Sequence, residues 1–181
     1  MEIALIVIVT ILALVVGLFV YYGGLIKVTC RIENQGGEKI VYKKMVGDYA
    51  KSAKLMNEIY YSLLNDHGIE TFKGFGIYYD NPKEVEKSKL RSEIGCIIDD
   101  KDSPKLAKIT EGLNIKTLPE RSYLVAEFPS KGKLSILCGI LKVYPAIEKF
   151  VEEKHYKKEG AIMEIYDVPN NKIIYRKEIV E

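Results

Sequence analysis

Cysteine is scarce in this chain and histidine scarcer. Cys30, Cys96 and Cys138 are odd in number, form no C-x-x-C pair and sit among apolar or strand-like neighbours. They read as reduced thiols of a reducing compartment, not as a disulfide framework. His67 and His155 are the only histidines, and neither lies three to five residues from a cysteine or from the other. A structural zinc site needs such spacing and is thereby excluded. An excess of either charge is missing too, since 27 basic side chains meet 25 acidic ones. A balanced surface of this kind argues against a nucleic-acid binder, so none is expected as a partner.

What is present divides unevenly. The first 26 residues hold 21 hydrophobic side chains and one charge, Glu2; the other 155 residues carry all 27 basic groups and 24 acidic ones. A remainder of that length suits one compact domain, which buries roughly 68–70% of its unfolded surface. From Ile3 to Ile26 no residue is charged. As a helix rising 1.5 Å per residue the run reaches about 36 Å, enough for a hydrocarbon core of about 30 Å. A cleaved signal peptide would need a basic start and a shorter apolar core; here Glu2 stands at the start, so a retained anchor is expected. Tyr21 and Tyr22 occupy the interfacial end, and Lys27 and Arg31 follow it. The positive-inside bias then puts the domain in the cytosol, held by the lipid bilayer through residues 3–26. In a prokaryote that membrane would be the plasma membrane. The divisions expected are an anchor over 1–26, a polar linker over 27–38 containing Glu33-Asn34-Gln35-Gly36-Gly37, and a domain over 39–181.

Within the domain one pattern occurs twice. A strand over Lys39–Met45 precedes a helix whose apolar face is Tyr49, Ala53, Met56, Ile59, Tyr60, Leu63 and Leu64, stopped at Gly68. Strands follow over Phe72–Tyr79 and Leu90–Ile98. After a short helix near Lys105–Glu111 and a strand near Ile115, a strand over Ser122–Phe128 leads to a second helix. Its apolar positions are Leu134, Leu137, Cys138, Leu141, Tyr144, Ile147, Phe150 and Val151, and Pro145 is expected to kink or restart it. Strands over Ala161–Tyr166 and Ile173–Val180 close the second unit. Tyr79-Asp80-Asn81-Pro82 of the first unit aligns with Tyr166-Asp167-Val168-Pro169 of the second. The fold class is therefore α+β, a duplicated βαββ unit behind one transmembrane helix.

Residues 39–181 resemble the GyrI-like, or bacterial effector-binding, fold, which is related to the haem-binding SOUL fold; the resemblance implies antiparallel sheets, helices on the outer faces and a cleft between the two halves. Tyr78-Tyr79-Asp80-Asn81-Pro82, Ser122-Tyr123-Leu124-Val125-Ala126-Glu127-Phe128-Pro129, Val143-Tyr144-Pro145-Ala146 and Met163-Glu164-Ile165-Tyr166 further resemble the testis-expressed protein 264 family. That resemblance implies a membrane-anchored adaptor acting in autophagy of the endoplasmic reticulum, with a cytosolic protein partner. The family's modifier-binding peptide lies in an acidic tail, and this sequence stops at Glu181. Tyr60-Tyr61-Ser62-Leu63 matches the bare aromatic-x-x-aliphatic pattern, but a helix face does not offer the extended peptide that strand addition requires. The resemblance also implies that Glu164 faces the cleft and meets a small cationic or amphipathic ligand. Alternation sets Ile162, Glu164 and Tyr166 on one strand face and Ala161, Met163 and Ile165 on the other, which is expected to face the helices. Phe75, Ile77 and Tyr79 are expected to wall the same cleft in the first half. An ordinary glutamate on a solvated strand face is the plain alternative. A small-molecule sensor, or a hydrolase using the cleft glutamate, is the alternative to the adaptor. No nucleophile with a neighbouring base is visible, so no enzyme and no catalytic residue are expected. Two helix-terminal histidines give haem thin support, and no cofactor is expected.

Overall fold

The computed structural model describes residues 2–109 and 112–180. Helix α1 (Glu2–Tyr21) precedes strands β1 (Cys30–Gln35) and β2 (Lys39–Val46), helix α2 (Ser52–His67), and strands β3 (Lys73–Tyr78) and β4 (Arg91–Ile98). Strands β5 (Asn114–Thr117) and β6 (Arg121–Pro129), helix α3 (Lys133–Glu153), and strands β7 (Ile162–Asp167) and β8 (Lys172–Glu178) complete the chain. The two units are thus β2-α2-β3-β4 and β6-α3-β7-β8. One eight-stranded sheet in the order β1-β6-β8-β7-β3-β4-β2-β5 holds both, and every pairing in it is antiparallel. The β3·β7 ladder is the seam between the halves.

Two differences from the sequence pattern concern connections. The expected linker contains β1, which pairs with β6 from Cys30↔Ala126 to Gln35↔Arg121. The short helix near Lys105–Glu111 is a 3-10 stretch over Asp100–Lys108, and Glu111 lies outside the described residues.

Both helices cover the same face. One row across the ladders runs from Cys96 in β4 through Gly74, Tyr166 and Ile173 to Phe128 in β6. At one end of that row Cys96 packs with Ile59 and Leu63 of α2. At the other, Phe128 and Ile173 pack with Val143 and Ile147 of α3. The neighbouring row, Gly95, Phe75, Ile165 and Ile174, points the opposite way, into a third apolar cluster with Ile40, Tyr42, Leu118 and Met163. The helix-facing set in β7 is therefore Ile162, Glu164 and Tyr166, not the expected Ala161, Met163 and Ile165. Alternation separates two faces but cannot say which one a helix covers when both are buried.

Helix α2 ends as its residues dictate: Gly68 takes the left-handed conformation (φ 61°), its N–H bonds to Leu63 O, and Ile69 tucks underneath. Helix α3 runs as one element through Pro145 and packs by Ser135, Gly139, Val143, Ile147 and Val151, a strict four-residue ridge. Leu134, Leu137, Ile140 and Leu141 are exposed, Leu137 by 53%. Small residues in the ridge and leucines outside it make the apolar pattern misleading, and three of those leucines were expected in the core. Accordingly Leu63→Ala should cost about 2–5 kcal/mol. Leu137→Ala should stay within about 0.5 kcal/mol. Urea unfolding of the full chain in detergent measures both, and equal losses would put α3 the other way round.

Candidate functional site

The β3·β7 seam carries a carboxylate, Glu164, buried on the helix-covered face of the sheet. Glu164 sits mid-strand in β7, and opposite it in β3 stands Gly76, with Gly74 opposite Tyr166. Two glycines in consecutive pairs leave this part of the floor without side chains, and the space is filled from above. A Cβ on Gly76 would lie 2.6 Å from the Tyr78 hydroxyl, and one on Gly74 would meet Met56 of α2.

Glu164 is 3% exposed. Tyr144, from α3, donates to its Oε1 at 2.8 Å, and Tyr166, two residues along β7, donates to its Oε2 at 2.6 Å. Tyr175 faces it from β8 in register, and Tyr78 lies near enough for the carboxylate charge to act on its hydroxyl. The Tyr175 hydroxyl is buried without a hydrogen-bond partner and abuts α3 where Gly139 leaves room; a Cβ there would lie 2.5 Å from it. Four tyrosines thus surround one carboxylate, and among the described residues no basic side chain forms an ion pair with it.

Burial raises the Glu164 pKa above the ordinary carboxylate range, and the hydrogen bonds from Tyr166 and Tyr144 pull part of it back. Tyr144 and Tyr166 are raised in turn, first by burial and then by the glutamate's charge, so they remain neutral donors. An acceptor-only group held by neutral donors keeps an unbalanced negative charge when ionised.

Of the expected site residues, Glu164 and Tyr166 meet here and Ile162 shares their strand face. Phe75, Ile77 and Tyr79 do not. Phe75 and Ile77 point to the opposite face of the sheet, with Ile165 and Met163, because β3 presents Gly74, Gly76 and Tyr78 to the helices. Tyr79 and Ile77 border a cavity of about 220 Å3 on that opposite face, with Tyr123, Arg121 and Met163. Another, of about 330 Å3, lies by Ile32, Tyr156 and Ile179, and neither touches Glu164. Tyr144, Tyr78 and Tyr175 were not singled out beforehand. Tyr144 occupies a helix position that reads as core, and only the topology brings it above β7.

Residues 29–179 match the GyrI-like small molecule binding domain. The testis-expressed protein 264 homolog of Mus musculus is 28% identical over 121 residues, 64% of this chain and 37% of that protein. The chain therefore spans little more than a third of that relative's length. The C-terminal domain of EcmrR superposes with a TM-score of 0.55 at 16% identity, over 87% of this chain and 99% of that one. SAV2435 bound to tetraphenylphosphonium superposes with a TM-score of 0.54 at 10% identity, over 83% of this chain and 93% of that one.

Proposed function

This chain belongs to the GyrI-like small-molecule-binding family, and from that premise we propose that it is a membrane-tethered receptor for an amphipathic organic cation. The observation that carries the proposal is Glu164, a buried carboxylate ringed by tyrosines and lacking a basic partner. A cationic ligand supplies the missing charge. Its apolar body replaces water against aromatic walls, and ring faces attract a cation further. Tyr144 and Tyr166 hold the carboxylate in place, while Tyr78 and Tyr175 form the walls. Glu164 is closed off beneath Tyr144, so α3 must shift to admit a ligand. Binding without turnover fits the same groups: the seam contains no nucleophile beside a base, and burial pushes the Cys96 thiol up to about 12.

Tethering rests on α1, 20 residues that no part of the domain buries and that are long and apolar enough to cross a bilayer. Lys27 and Arg31 behind it favour a cytosolic domain, at the endoplasmic reticulum in a eukaryote.

Similarity to the mouse protein supports a second reading, an adaptor that recruits a cytosolic protein for autophagy of that organelle. In that role the partner meets an outer surface. Tyr60-Tyr61-Ser62-Leu63 is unsuited to it, being helical with Leu63 wholly buried.

The fold's likeness to SAV2435 makes tetraphenylphosphonium the natural probe. Calorimetric titration of the full chain in detergent should give saturable binding of this ion and none of uncharged triphenylphosphine oxide. Equal binding of the two would remove the role of Glu164.

A further inference from the structure

The outward face of α3 changes character halfway along. Past Pro145 it carries Glu148, Lys149, Glu152 and Glu153, as a solvated helix should. Before Pro145 it presents Leu134, Leu137, Ile140 and Leu141, all large and all exposed. Helix α2 has no such stretch: Lys54, Asn57, Glu58, Asn65 and Asp66 lie on its outer face, with Tyr61 as an isolated large hydrophobic side chain among them. A contiguous apolar patch on one half of one helix marks a contact surface.

Its position says what it contacts. The same half of α3 adjoins the exit of α1. Lys142 donates its ammonium to the Gly24 carbonyl, and the Lys131 ammonium lies 4.6 Å above the Tyr21 ring. Gly23 packs on Phe128 so closely that a Cβ there would lie 2.8 Å from the ring. If α1 spans a bilayer, residues 21–24 sit at the lipid–water interface, and whatever touches them sits there also.

Charge agrees with position. From Pro129 to Ile147 the sequence has Lys131, Lys133 and Lys142 and no acidic residue. Leucines on one side and lysines beside them are the composition of a helix lying in a membrane interface, and here the Lys131 and Lys142 ammonium groups are held at the exit of α1, at the level of that interface. Three basic groups, joined by Lys27 across the exit, favour anionic headgroups at that level.

We propose that the N-terminal half of α3 is a second membrane contact, its Leu134–Leu137–Leu141 face lying in the anionic headgroup region of the bilayer that α1 crosses. The proposal rests on the spanning reading of α1. The domain would then meet the membrane by its β1–β6 side, with the apolar half of α3 at the surface and α2, over β3 and β4, farther from it.

The chain has no tryptophan, so an introduced one is the sole reporter. The full chain carrying Leu137→Trp, and separately Leu141→Trp, is reconstituted into phosphatidylcholine–phosphatidylserine vesicles with or without dibrominated acyl chains. Leu12→Trp reports on α1, and Tyr61→Trp, at a position 58% exposed on α2, reports on water. Brominated lipid should quench positions 137, 141 and 12 at least about twofold, and leave position 61 unchanged. Quenching at 12 with positions 137 and 141 behaving like 61 would leave the span standing and overturn the contact. No quenching at 12 would overturn the span, and the contact with it. A blue shift at 137 that grows with protein-to-lipid ratio and resists bromine would assign the face to a second copy of the chain, again against the proposal.

Discussion

Glu164→Gln is expected to weaken tetraphenylphosphonium binding by about 100-fold, because losing one partner of a buried charge pair commonly costs 2–5 kcal/mol. Glutamine keeps the shape and an acceptor oxygen for one tyrosine, and its amide nitrogen donates to the other hydroxyl once that hydroxyl has turned to accept. What disappears is the charge. Calorimetry on wild type and variant gives the ratio directly, and a change under about threefold would mean that the cation binds elsewhere.

The same substitution carries a pH signature. Burial raises the Glu164 pKa in the folded chain, whereas the unfolded chain titrates near the ordinary value of about 4.3. Below that value the group is protonated in both states and its contribution to stability is complete. As pH rises, the unfolded chain loses the proton first, so stability falls until the raised folded pKa has been passed. Glu164→Gln should remove this decline, and urea midpoints taken across the acid-to-neutral range should show it. Cation affinity of the wild type should move the opposite way, increasing as the buried carboxylate ionises. Parallel curves for both proteins would mean that the carboxylate is not buried.

Gly95→Ala is expected to destabilise the fold by about 3 kcal/mol or more, although it adds one methyl group. Gly95 lies in β4 between β2 and β3, opposite Tyr42 on one side and Phe75 on the other. A Cβ there would lie 1.9 Å from the Val41 carbonyl oxygen and 2.8 Å from the Tyr42 Cα. Neither is the end of a flexible side chain, so two strands must separate. The site is fully interior to the ladder and cannot relax into solvent. Thermal or urea unfolding of the full chain in detergent measures the loss, and a cost under about 0.5 kcal/mol would mean that the β2·β4 spacing described here is wrong.

How much of this was legible beforehand depends on what each element shows to a linear pattern. The strands and helices of both βαββ units are written in period-two and period-3.6 spacing, and the duplicated order follows from them. Strand β1 is not, because Glu33, Asn34 and Gln35 carry the polarity of a loop; an edge strand bonded on one side needs little apolar content. The packed side of α3 was hidden for the converse reason. Its ridge includes Ser135 and Gly139, which read as polar or neutral, while Leu137 and Leu141 advertise a core they do not enter.

Glu164 itself stood out through the Glu-x-Tyr strand and the family resemblance. Its surroundings did not. Tyr144 is twenty residues away and reaches the carboxylate only because α3 packs back over β6 and β8, beside β7. Phe75 and Ile77 are apolar, alternating and in the corresponding strand, yet ladder register puts Gly76 opposite Glu164 and turns them away. A shift of one residue exchanges the faces, and nothing local to β3 decides it.

The closed seam sets the tempo of anything that enters it. Because Tyr144 caps Glu164 from α3, a ligand cannot meet the carboxylate by diffusion alone. For the proposed cation receptor, only molecules in which α3 has moved off Glu164 would be receptive, and apparent affinity would be reduced by their fraction. At high ligand concentration the observed association rate would stop rising and equal the rate at which α3 moves. Departure waits on the same motion, so residence time becomes a property of the protein as much as of the ligand.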